Sequence, residues 1–304
     1  MNKIIKITPL LVITICLAAC DYVSNPLLPR TIIKPNDTVV YQNILIEDYT
    51  GMTCVNCPAA AAEMDTLISL YGSRIIPLSI NYGYYATPPQ AAPCNGWDFT
   101  TPVGNTYGDL FITASGSFPS GMINRIHYPL GQEVMGWAQW GDTVKSIITA
   151  NTGPANIKLI LSTTFNVSTR ALTARATATF LKANTGNYNI VLLLTQDSIL
   201  APQLIINKPP NLTYAHRFVL RDNITSSAWG DVLVPIGGAS LNQVFSKNYT
   251  YNIAAGYPAA PLSGYPKIAC DYTKCYVVAY IYDAATTSPT YYQVMQAQQK
   301  KIYP

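Results

Sequence analysis

The sequence predicts a two-part chain, an α/β amino-terminal part followed by an all-β part, and three observations carry that reading. A Cys-x-x-Cys pair, Cys54-Val55-Asn56-Cys57, stands between a short apolar run, Ile44-Leu45-Ile46, and a segment strongly inclined to helix. After Pro154 the spacing of apolar residues changes from helical to alternating and stays so. The first twenty residues read as an export leader, and export permits disulfides among the cysteines that follow.

The leader has a positive start, Lys3 and Lys6, and an apolar stretch from Ile7 to Leu17 that is too short to span a bilayer. It ends in Leu17-Ala18-Ala19-Cys20, the pattern of a bacterial lipoprotein signal peptide, with small residues for the peptidase and a cysteine to carry lipid. An ordinary signal peptide with a chance cysteine is the alternative. Residues 1–19 are thus expected to be removed, with Cys20 as the lipidation site. Residues 20–37, with Pro26, Pro29 and Pro35 and no periodicity, are expected to form a tether. No later apolar run reaches eighteen residues, so the body is expected to be anchored rather than inserted.

The chain carries 19 Lys+Arg against 15 Asp+Glu, and loss of Lys3 and Lys6 with the leader lowers the formal charge from +4 to +2. That balance gives no basic patch for nucleic acid. Charged residues are only 11% of the chain while Tyr and Pro number 22 each, which fits an exported β-rich protein better than a disordered one.

In the α/β part, expected over 38–152, Val39 to Asp48 reads as a strand region. A helix from Cys57 to Tyr71 follows, with Met64, Leu67, Ile68 and Tyr71 on one face and Gly72 just past its end. Pro58 allows two starts for this helix, with either Cys57 or Cys54 as its cap. Both place the sulfurs at the positive end of the helix dipole, the setting of a thioredoxin-type redox pair. Arg74 to Ile80 is the next strand, expected parallel to the first, so the loops leaving the two strands share one edge of the sheet. The second of these loops contains Cys94, a candidate third thiol. A short helix over Thr106 to Ile112 precedes Phe118-Pro119, an aromatic-proline turn entering an apolar strand, which resembles the cis-proline loop that faces the cysteine pair in thioredoxin-like domains. Trp137, Trp140, Val144, Ile147 and Ile148 have the spacing of a closing helix.

The second part, expected over 155–304, alternates through Ile157–Phe165, Leu172–Phe180 and Ile190–Leu194. Further strands are expected near His216–Leu220, Val232–Pro235, Gln243–Ile253, Tyr276–Tyr282 and Tyr291–Gln298. Seven or eight short strands without helices predict an antiparallel β-sandwich.

Several stretches together resemble one family, the outer-membrane-protein-28-related lipoproteins of the Gram-negative envelope. They are Glu47 to Pro58, Phe118 to Arg125, Phe218-Val219-Leu220-Arg221 with Trp229-Gly230, and Val294-Met295-Gln296-Ala297. The resemblance implies an outer-membrane protein, lipid-anchored, with a thioredoxin-like domain followed by a β domain, and a family activity that is not well defined. In one departure from thioredoxin proper, Thr53 stands where a tryptophan precedes the first cysteine, and no Lys or His lies inside the pair.

Two functions follow as expectations. The first is a binding or envelope-assembly role with an envelope protein as partner, on either the periplasmic or the cell-surface face. The alternative is a tethered thiol–disulfide oxidoreductase with Cys54 as nucleophile, Cys57 as resolving thiol and Pro119 in the substrate loop. Cys54–Cys57 and Cys270–Cys275 are the candidate disulfides, the latter closing a small loop. Without a histidine beside it, the second pair is not a metal site. His127 and His216 are lone and expected at the surface or in hydrogen bonds. Glu47 and Asp48 point to opposite faces of one strand, so they cannot share an acid–base role, though one of them fits as a proton acceptor beneath the cysteines. No cofactor motif is present.

Overall fold

The computed structural model describes residues 39–112, 117–126, 134–258 and 264–303. Cys20, the expected signal peptide and tether, and His127 lie outside these residues.

The chain opens with β1 (Ile44–Thr50), α1 (Cys57–Tyr71) and β2 (Ile75–Asn81), the two strands pairing in parallel. Next come α2 (Pro102–Phe111), β3 (Ser120–Ile123), β4 (Met135–Gly136) and α3 (Trp140–Ala150). β3 runs antiparallel to β1, and β4 antiparallel to β3. Ala60, Met64 and Leu67 of α1 and Trp140, Val144 and Ile147 of α3 pack against Ile44, Ile46, Ile75 and Ile123, so both helices cover one face of this sheet. The expected bounds of α1 are those observed. Its start follows neither expected cap: the Cys57 amide donates to the Cys54 carbonyl, closing a turn that places Asn56 at the cap and Pro58 in the first helical turn.

Twelve strands follow Pro154 among the described residues, where seven or eight were expected. They are β5 (Ile157–Asn166), β6 (Ala171–Phe180), β7 (Tyr188–Gln196), β8 (Ile199–Ile205), β9 (Lys208–His216), β10 (Val219–Asn223), β11 (Asp231–Val234), β12 (Val244–Asn252), β13 (Gly256–Tyr257), β14 (Ile268–Ala269), β15 (Cys275–Asp283) and β16 (Val294–Lys301). A three-stranded sheet, β12-β6-β5, packs its Leu159, Leu172, Ala174 and Ala176 against Ile190, Leu192, Val277 and Ala279.

The large sheet runs β16-β15-β7-β10-β2-β1-β3-β4, so strands from both sides of Pro154 belong to one sheet. The link is β10, which pairs in parallel with β2 at Val219–Ser79 and antiparallel with β7. Alternation along β7 explains how one strand serves two cores. Ile190, Leu192 and Leu194 face the small sheet, while Val191 and Leu193 face Leu45, Ile76 and Leu78. A buried ion pair sits in the second of these cores. Arg125 donates to both carboxylate oxygens of Glu47 (2.8 and 2.6 Å) and to the Tyr280 hydroxyl (3.0 Å), with Tyr107 and Phe111 rings at 4.8 and 4.9 Å.

Candidate functional site

The loop leaving β1 holds the cysteine pair, joined as a disulfide with Cα atoms 5.4 Å apart. Cys57 is the first residue of α1, so the sulfurs sit at the end of the helix with free amide groups. Both cysteines are only 2% exposed.

Three segments converge on this loop. The first is the long connection after β2. The Thr53 amide and hydroxyl both donate to the Tyr85 carbonyl (3.2 and 3.0 Å), and a side chain at Gly51 would put its Cβ 2.4 Å from that same oxygen. The Thr53 hydroxyl also lies 2.9 Å from Gln90 Oε1. Cys94, on the same connection, is fully buried with its sulfur donating to the Met52 carbonyl at 3.6 Å, and burial pushes its thiol pKa up. The second segment is Phe118-Pro119, joined by a cis peptide bond, with the Phe118 ring 5.7 Å from that of Tyr85.

The third segment, the β8–β9 hairpin, was not foreseen from sequence. The Leu204 amide donates to the Met52 carbonyl (2.9 Å) and the Ile206 amide to the Val55 carbonyl (3.0 Å). The buried Gln203 side chain donates to the Cys54 and Gly51 carbonyls (2.9 and 3.4 Å). The hairpin thus adds a strand edge to the cysteine loop and accounts for the burial of the disulfide. Pro202, Pro209 and Pro210 argue against strands in this stretch of sequence. The one positive signal was Asn207, which takes the left-handed conformation at the hairpin turn.

Beneath Cys57 lies a cavity of about 30 Å³, room for a water molecule, lined by Asp48, Cys57, Ser79, Asn81, Gln203 and His216 among others. Asp48 is buried, its Oδ1 has no hydrogen-bond partner, and desolvation raises its pKa to about 7. His216, expected at the surface or in a hydrogen bond, is buried with Nε2 3.2 Å from the Pro202 carbonyl, and burial lowers its pKa to about 4. The arrangement offers a proton acceptor on the Cys57 side of the disulfide, while the Cys54 side is closed by the hairpin. Among the described residues no group of three His, Cys, Asp or Glu side chains is placed to hold a metal.

Cys270 and Cys275, expected as a disulfide, stand with their sulfurs 3.5 Å apart as a hydrogen-bonded pair of buried thiols. The helical turn Tyr272–Lys274 between them brings the sulfurs together, and the Cys275 thiol also donates to the Asp271 carbonyl at 3.3 Å. The hydrogen bond between the two sulfurs lowers the Cys270 pKa and raises that of Cys275.

A family model described as outer membrane protein Omp28 matches residues 107–304, well over half of the chain. The chain belongs to the Omp28 outer membrane protein family. Family membership places it at the outer membrane. No helix among the described residues is long and apolar enough to cross a membrane. The Omp28 match begins after the cysteine pair, so Cys54 and Cys57 lie outside it. Among solved structures, HBP35 of Porphyromonas gingivalis is similar with a TM-score of 0.58 at 14% identity, over 86% of this chain and 76% of that one. A protein of Agrobacterium tumefaciens gives a TM-score of 0.46 at 12% identity, over 85% of this chain and 94% of that one. No curated protein matches the sequence.

Proposed function

We propose that this Omp28-family chain is a lipid-anchored outer-membrane protein with a binding or envelope-assembly role, and that its cysteine pair is a capped fastening rather than an exposed redox centre. In this reading residues 1–19 are the signal peptide, Cys20 carries lipid and residues 20–37 are the tether. Residues 38–152 form a thioredoxin-like module and 155–304 a β-sandwich. The strand order β2-β1-β3-β4, α1 crossing between the parallel strands and the cis-proline turn all support the thioredoxin likeness. The capping hairpin is the observation that carries the functional conclusion, because it closes the sulfurs with main-chain hydrogen bonds supplied by the second part of the chain. Its rim leaves Val55, Tyr84 and Ile206 exposed beside the capped loop, an apolar surface suited to an envelope protein.

Redox titration of the full chain tests the conclusion. A capped fastening has a potential below roughly −300 mV, in the range of structural disulfides, and shows no disulfide reductase activity. A potential near that of thioredoxin, with turnover, overturns it.

The Asp48 cavity favours a second reading, a tethered thiol–disulfide oxidoreductase. In the reduced protein the Cys54 thiolate attacks a substrate disulfide and releases one substrate thiolate. Cys57 then attacks the Cys54 sulfur, Asp48 accepts the Cys57 proton, and the second substrate thiolate leaves as the protein disulfide forms. Replacement of the resolving thiol, Cys57→Ala, separates the two: mixed disulfides with envelope proteins support the oxidoreductase, and their absence supports the fastening.

A further inference from the structure

The loop between β11 and β12 runs from Val234 to Val244 without a charged residue. Its tip is apolar and open to solvent: Ile236 is 93% exposed, Leu241 60% and Val244 56%. Exposed aliphatic side chains concentrated on one uncharged loop mark a contact surface rather than ordinary scatter.

Hydrogen bonds tie this loop to the place where the chain enters the body. Asn242 and Gln243 exchange main-chain hydrogen bonds with Phe180 (2.7 and 2.9 Å), and Asn184 does so with Ala239 (2.9 and 3.0 Å). The Leu181 amide donates to Asn156 (2.8 Å), and the Ala155 amide to Val40 (2.7 Å). Neighbouring strands lie about 4.8 Å apart, so the loop and Val40 are separated by only a few strand widths. Residues 20–37 stand immediately before this segment in the sequence. On the outer face of the small sheet the row Val244, Thr179, Lys158 places an exposed lysine beside the apolar tip, a charge that suits anionic headgroups.

We propose that the Val234–Val244 loop is a membrane-docking loop that seats Ile236 and Leu241 in the lipid surface beside the anchored amino terminus. The inference rests on the lipid-anchor reading above. Lipid is the occupant because the family is placed at the outer membrane, the tip is aliphatic rather than aromatic, and the segment read as the tether joins the body next to Val39, a few strand widths from the loop. A second hydrophobic contact beside a lipid anchor fixes the orientation of the body on the membrane.

The test uses the full acylated chain in vesicles of phosphatidylethanolamine and phosphatidylglycerol. A fluorophore is attached at Ile236→Cys or, as a control outside the loop, at Leu212→Cys on β9. Cys94, Cys270 and Cys275 are buried and Ile236 and Leu212 are exposed, so labelling is selective and the fold is undisturbed. Lipids carrying a doxyl group near the headgroup end of the acyl chain should quench the label at 236 and leave that at 212 unchanged. Equal, unquenched emission from both positions, with the chain still sedimenting with the vesicles, overturns the docking loop and leaves the anchor standing. A chain that does not sediment with vesicles overturns both. Protection of the 236 label from aqueous iodide only when outer-membrane proteins are added, without doxyl quenching, assigns the loop to a protein and overturns the lipid assignment.

Discussion

Glu47 and Asp48 are consecutive on β1, and alternation sends them to opposite faces of the same sheet. Glu47 meets the Arg125 guanidinium through two hydrogen bonds, in a pocket closed by Tyr280 from the second part of the chain. Asp48 meets a small cavity beside Cys57 and an oxygen without a partner. Burial is nearly complete for both. One carboxylate therefore has a cationic partner brought from 78 residues along the chain, and the other gives up its charge through most of the acid range. The contrast shows a fold that sets a buried arginine against Glu47 on one face of β1, tied to the second part through Tyr280, and leaves an oxygen of Asp48 on the other face without a hydrogen-bond partner.

The comparison is broken most severely at Arg125. Arg125→Met should destabilise the chain by about 3–5 kcal/mol in urea unfolding, because Glu47 is left buried and uncompensated. The double replacement Glu47→Leu with Arg125→Leu should recover much of that loss.

Asp48 predicts the opposite pH behaviour from an ordinary surface acid. In the folded chain it holds its proton up to about pH 7, whereas in the unfolded chain it loses it near the ordinary value of 3.8. Its contribution is therefore fullest below 3.8 and falls as pH rises through 7, by an amount on the order of a few kcal/mol. Asp48→Asn should remove this decline, so the variant gains stability relative to the parent between pH 4 and pH 8, measured by urea midpoints across that range. A difference that is flat with pH defeats the assignment.

Gln203→Ala sharpens the cysteine side. Loss of its hydrogen bonds to Cys54 and Gly51 should cost about 1–2 kcal/mol and speed reduction of the disulfide by a small dithiol. An unchanged reduction rate would show that the hairpin does not guard the sulfurs.

The smallest effect is expected at Cys94. Its thiol meets the Met52 carbonyl, so Cys94→Ala should cost about 1 kcal/mol and leave the Cys54–Cys57 potential unmoved. A shift in that potential would make Cys94 a third member of the redox pair.

Much of the first part of the fold was legible in the sequence because its signals are local. The apolar spacing of Met64, Leu67, Ile68 and Tyr71 defines α1, and the runs at Ile44 and Ile75 define β1 and β2. The approach of the Tyr85 segment to the cysteine loop followed from parallel strands sharing an edge, and that of Phe118 from the resemblance of its turn to a cis-proline loop. What was not legible depends on partners distant in sequence. Nothing in Val219-Leu220-Arg221 announces that β10 joins β2 rather than staying with its own neighbours. The prolines of the β8–β9 hairpin hid its strands, and with them the burial of His216 and the capping of the disulfide. Arg125 gave no local sign that it would be fully buried, since its partner Glu47 is 78 residues away.

The position of β10 has a consequence for the order in which the molecule is made. A chain emerges from its amino terminus, so β1, α1 and β2 are complete while the outer edge of β2 still waits for Val219. Until then the nascent protein carries an open strand edge, the feature that recruits a neighbouring chain when nothing else occupies it. A product cut short before Val219 should therefore aggregate rather than persist as a small stable domain.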